Sequence, residues 1–101
     1  MVFKIEWTLN ARLDRKEIFI YWNNSNKSNI YSRKLNAIFN KHIESLLRIT
    51  LLGKPTDYDE IRFLIVGDYL IFYKINLNII SILKIWDSRQ NPNKIPDLLK
   101  D

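Results

Sequence analysis

The residue types able to do chemistry are few and lie late in the chain. Cysteine is absent and His42 is the single histidine, which excludes thiol chemistry and any Cys-built metal site. The carboxylates show no ligand-like clustering, so neither a metal nor another cofactor is expected. His42 falls on an apolar helical stripe, where a core or boundary residue is expected rather than a general base. What remains is a set of cations among aromatic residues: Arg62, Tyr69, Tyr73, Lys84, Trp86 and Arg89, with Asp87 and Gln90 beside them. Such a set can neutralise a phosphate, donate a proton or stack on a flat group. The balance of 16 Lys and Arg against 11 Asp and Glu, net +5, favours a polyanionic or acidic partner over a small-molecule substrate.

One small fold must position these groups. The 101 residues are 47% hydrophobic and 27% charged, the balance of a single globular domain over 1–101. No apolar run approaches the ~18 residues of a membrane span. Met1 to Glu6 has neither the charged start nor the apolar centre of a signal peptide, so a cytoplasmic address is expected.

Val2 to Thr8 alternates as a strand, with Phe3, Ile5 and Trp7 on one face. Asn10 can cap a helix starting near Ala11 and carrying Ile18, Tyr21 and Trp22, which the polar run Asn23 to Asn29 should break. Leu35, Ile38, Phe39, His42, Ile43, Leu46 and Leu47 then recur at steps of three and four. They predict a second helix, ended by Gly53 and Pro55. Glu60 to Trp86 is dense in Ile, Phe, Tyr and Val, broken only at Gly67-Asp68 and Leu77-Asn78. That reads as three antiparallel strands joined by two tight hairpins. The fold class is therefore α+β, in the order β-α-α-β-β-β, with both helices on one face of a small, mostly antiparallel sheet.

The hairpin registers sort the strand residues onto two faces. One carries Arg62, Leu64, Val66, Tyr69, Ile71, Tyr73, Ile82, Lys84 and Trp86, and suits an open groove or a partner. The other, with Ile61, Phe63, Ile65, Leu70, Phe72, Ile79, Leu83 and Ile85, is nearly all aliphatic and Phe and is expected to receive the helices. A slip of one residue would exchange them. Asp87 and Arg89, at the exit of the last strand, are expected to form a local ion pair that anchors the turn.

These residues resemble a known family. Ile61 to Tyr73 is similar to the Arg-x-x-x-Val-x-x-Tyr-x-Ile-x-Tyr hairpin of the RelE/ParE toxins. Ile82 to Pro92 resembles the last strand and the Arg-Gln-Asn-Pro exit of the ParE-like branch. Trp7, Asn10-Ala11, Asp14, Ile18 and Tyr21 match that family's first strand and helix. The resemblance implies the toxin half of a bacterial type II toxin–antitoxin pair, neutralised by a cognate antitoxin. It implies one of two targets: ParE-like members block DNA gyrase, and RelE-like members cleave mRNA in the ribosome. Leu64 and Leu70 stand where the RNase pattern has cations, and no terminal histidine is present, which favours the ParE-like branch.

For the RNase alternative, 2′-hydroxyl attack needs an acid, a base and cations, and the catalytic set would be Arg62, Tyr69, Tyr73 and Arg89. For the leading reading, the target- or antitoxin-binding residues are Lys84, Trp86, Arg89 and Gln90. A third reading keeps the fold and antitoxin contact but no toxicity.

Overall fold

A computed structural model describes residues 2–58 and 60–89. Strand β1 (Lys4–Trp7) leads into helix α1 (Leu9–Asn26) and helix α2 (Ile30–Glu44), which runs on as a short 3₁₀ turn, Ser45–Leu47. Four strands follow: β2 (Lys54–Pro55), β3 (Ile61–Val66), β4 (Tyr69–Asn76) and β5 (Ile79–Asp87). They form one sheet in the order β1-β5-β4-β3-β2, with β1 parallel to β5 and the other pairings antiparallel.

The local reasons are legible. Thr8 caps α1 by accepting the Ala11 N–H at 3.1 Å, two residues earlier than the expected Asn10 cap. Thr8 also donates to the Leu83 carbonyl, tying the helix start to β5. The Asn-rich run does not stop α1 at once: the helix continues to Asn26 and ends where Lys27 turns left-handed at φ 52. Ser32 on α2 then donates to the Asn23 side chain and holds the two helices together. Leu35, Phe39, Ile43 and Leu46 are buried as the stripe requires, but Ile38, His42 and Leu47 are exposed. The stripe is therefore narrower than expected, and His42 lies outside the core.

Both hairpins have the expected two-residue turns, Val66 facing Tyr69 and Asn76 facing Ile79. The prediction that fails is which face the helices cover. Leu64, Val66, Tyr69, Ile71, Tyr73, Ile80, Ile82 and Ile85 join Ala11, Leu35, Phe39, Ile43 and Leu46 in one buried cluster. The helices pack on the tyrosine-bearing face, because each buried phenol finds a polar partner inside the protein. Phe39 meets Tyr69 edge-on at 5.4 Å, and Phe19 stacks on Phe39 at 6.3 Å. On the other face Phe63 and Phe72 pair at 5.8 Å.

A second departure is a β-bulge. Tyr73 pairs with Ile82 as expected, but Phe72 pairs with Lys84, so Leu83 is an extra residue. Beyond it the alternation of β5 is inverted. Ile85 and Asp87, rather than Lys84 and Trp86, stand opposite Ile71 and Tyr69.

Candidate functional site

The structure divides the predicted site residues into two groups. Arg62 and Tyr73 lie together at the β2 end of the sheet, where they hold the segment before β2. Tyr73 is fully buried. Its hydroxyl accepts the Gly53 N–H at 2.8 Å and donates to the Thr50 carbonyl at 3.0 Å. Arg62 Nε donates to the Gly53 carbonyl at 2.9 Å, and Nη2 reaches the Leu51 carbonyl at 3.4 Å. Gly53 does not end a helix, as expected, but lies against the Tyr73 ring. A Cβ there would come within 2.6 Å of the ring and 2.8 Å of the Phe63 carbonyl. Only glycine allows that approach.

The second group meets about α1 and the end of β5. Tyr69, Lys84, Trp86 and Arg89 line a cavity of about 480 Å³, together with Asp14, Glu17, Ile18, Tyr21, Ile85 and Asp87. The α1 residues recur at steps of three and four, so they form one stripe facing the strand. Gln90 lies outside the described residues.

Two carboxylates near the strand exit, Asp14 and Asp87, each hold a cation. Asp14 reaches from α1 to the edge of β5, where β1 has already ended. Its Oδ1 accepts from Lys84 Nζ at 3.0 Å and its Oδ2 accepts the Ile85 N–H at 3.0 Å. One carboxylate thus satisfies a sheet edge and neutralises a lysine. Asp87 takes three bonds from Arg89: Nη2 at 2.7 Å, and Nε and the backbone N–H at 2.9 Å each. This is the local ion pair expected from sequence. The Arg89 bonds hold the Asp87 carboxyl below the usual aspartate range, against a smaller upward push from burial. The guanidinium stays half exposed, 5.9 Å from the Trp22 ring.

Tyr69 forms the cavity floor at 5% exposure. Its oxygen accepts Trp22 Nε1–H at 2.8 Å. Burial raises the phenol above its ordinary value, and the Asp87 charge adds to that. Tyr69 is therefore a neutral phenol across the physiological range. Trp86 is 8% exposed, and its indole Nε1–H has no hydrogen-bond partner among the described residues.

Chemically, the arrangement pairs Lys84 and Arg89 with carboxylates and holds the Tyr69 phenol neutral. The two halves of the proposed RNase set stand apart: Tyr69 and Arg89 in the cavity, Arg62 and Tyr73 in the clamp on residues 50–53. Sequence reasoning missed Glu17 and Trp22 as members of the site. Their signal was present in α1: Asp14, Glu17 and Tyr21 at helical spacing, with Trp22 one residue on.

Comparison with known proteins identifies a family. The family model described as the ParE toxin of the type II toxin–antitoxin system parDE matches residues 5–92. The chain belongs to that toxin family. Among solved structures it resembles the chromosomal ParDE toxin–antitoxin system from P. aeruginosa, with a TM-score of 0.73 and 17% identity over 83% of this chain and 94% of that one. It also resembles the RelBE2 toxin–antitoxin complex from Mycobacterium tuberculosis, with a TM-score of 0.60 and 21% identity over 84% and 96%. No curated protein matches by sequence.

Proposed function

We propose that this ParE-type toxin is held inactive by a cognate antitoxin in the cytoplasm and, once freed, arrests growth by blocking DNA gyrase rather than by cutting RNA. The observation that carries the choice is the commitment of Tyr73 and Arg62. Tyr73 has its hydroxyl filled by two backbone partners and no exposed surface. Arg62 is bound to carbonyls, not held free for a phosphate. A nuclease needs cations and an acid aimed at one reacting centre. Here the cations of the cavity are paired instead with Asp14 and Asp87.

The likeness to ParDE and RelBE complexes supports an antitoxin as the partner. Lys84, Trp86 and Arg89, with Gln90 outside the described residues, are the residues we assign to antitoxin or target contact. Inducible expression in a bacterial host tests the reading. We expect arrest with intact messages and altered plasmid supercoiling. New 5′ ends inside translated messages would instead establish the ribosome-dependent RNase, and normal growth would leave a binding module without toxicity.

A further inference from the structure

We infer that the cavity between α1 and the end of β5 receives a cationic side chain, an arginine or lysine presented by an extended segment of the antitoxin. This rests on the reading above that an antitoxin binds the chain, and it names what that partner inserts.

The charge around the cavity is the first reason. Three carboxylates line it, Asp14, Glu17 and Asp87, against two cations, Lys84 and Arg89. Lys84 is neutralised by Asp14 at 3.0 Å and Arg89 by Asp87 at 2.7 Å. Glu17 is left over, with no ion pair among the described residues. On a chain of net charge +5 this is a local acidic spot. The other cations of α1, Arg12, Arg15 and Lys16, do not line the cavity, and Arg15 packs on the Trp7 ring at 4.1 Å.

The walls are the second reason. Tyr21 is 58% exposed, yet its ring is held edge-on to Trp22 at 5.1 Å. An ordered, exposed aromatic face beside a spare carboxylate suits a guanidinium or ammonium group, which gains from both. Arg89 over Trp22 already shows the same pairing on this rim. The third reason is Trp86, a wall residue whose buried indole N–H has no acceptor among the described residues. A lone buried donor is costly. A segment that enters the cavity brings backbone carbonyls, and one of them satisfies the indole once the wall shifts aside.

The test is an NMR titration of the full chain with the capped peptides acetyl-Gly-Arg-Gly-amide and acetyl-Gly-Glu-Gly-amide. The indole N–H signals of Trp7, Trp22 and Trp86 serve as reporters, with the Trp86 signal assigned from Trp86→Phe. The arginine peptide should shift the Trp86 signal saturably. Affinity should fall about threefold to tenfold in Glu17→Gln and again in Tyr21→Ala, the scale of one partly exposed charge-assisted contact. Both positions are exposed, and an unchanged spectrum elsewhere confirms the fold.

Equal affinity in Glu17→Gln, no saturable shift, or preference for the glutamate peptide would each overturn the inference. The last would show Lys84 and Arg89 reading a carboxylate. The peptides contain no antitoxin, so this outcome is separate from that of co-expression with the small proteins of the flanking reading frames. If neither copurifies, the antitoxin reading fails. If one binds wild type and Glu17→Gln equally, only the cavity assignment fails.

Discussion

Tyr69 and Tyr73 show how a polar group can mislead a reading of the chain. Tyr69 and Tyr73 carry hydroxyls, and beside Arg62 they suggest an open polar face. In the structure they are core residues, because Trp22, Gly53 and Thr50 supply the partners their oxygens need. Those partners are 20 to 47 residues away in sequence, so no local pattern announces them. Tyr73→Phe should therefore lower stability by about 1–3 kcal/mol, measured by urea unfolding, since it leaves the buried Gly53 N–H unsatisfied. Gly53→Ala should cost at least as much, because the ring or the strand must move. Tyr69 gives a pH prediction. Its folded value lies above the ordinary 10.0, so the folded state favours the protonated phenol. The associated stability is intact below pH 10 and is lost as pH rises through the folded value. An ultraviolet titration should show a late-titrating component that Tyr69→Phe removes.

At the level of elements, the helices, the hairpins and their turns were legible, because period and turn chemistry are local signals. The helix-covered face was not, since both sides of β3 and β4 are apolar and only long-range polar partners distinguish them. Nor was the bulge, because Leu83 is no different in kind from its neighbours. Two turns invite direct tests. Gly67 has φ 60 and Leu77 has φ 56 at corresponding positions, and Leu77 is 83% exposed. Replacing Leu77 by glycine should relieve about 1–2 kcal/mol of left-handed strain and lose about 0.5–1 in chain entropy. The melting temperature should rise slightly, whereas Gly67→Ala should lower it. Asp14→Ala should lose about 2 kcal/mol by calorimetry, because it strands both Lys84 and the Ile85 N–H. Asp14→Asn, which keeps an acceptor for that N–H, should lose less.

For the whole molecule, the Ile61–Tyr73 and Ile82–Pro92 motifs in the expected element order pointed to a family, and the match over residues 5–92 agrees. The location of the site was only partly readable. Lys84, Trp86 and Arg89, singled out in the sequence, line one cavity, but their company on α1 depends on how the helix crosses the end of the sheet. Net charge carries its own prediction. If an acidic antitoxin is the partner, raising ionic strength from about 0.05 to 0.5 M should slow its association about tenfold and change dissociation far less. Stopped-flow mixing measures both rates. Equal rates at both salt concentrations would mean that the +5 charge plays no part in the encounter.

The bulge at Leu83 gives β4 and β5 two independent phases. Before it, the hairpin sets Ile80 and Ile82 into the hydrophobic cluster. After it, the strand is half a period out of step, and every cavity residue that β5 supplies, Lys84 to Asp87, belongs to that second stretch. A substitution in the first stretch leaves the orientation of the second unchanged, so binding specificity can drift without repacking the interior. Deleting Leu83 would merge the phases. Ile82 and Lys84 would then be adjacent, with Lys84 still opposite Phe72 and Asp87 still opposite Tyr69. Both cluster and cavity residues should therefore keep their faces, whereas a deletion at Lys84 or Ile85 would turn the residues after it over.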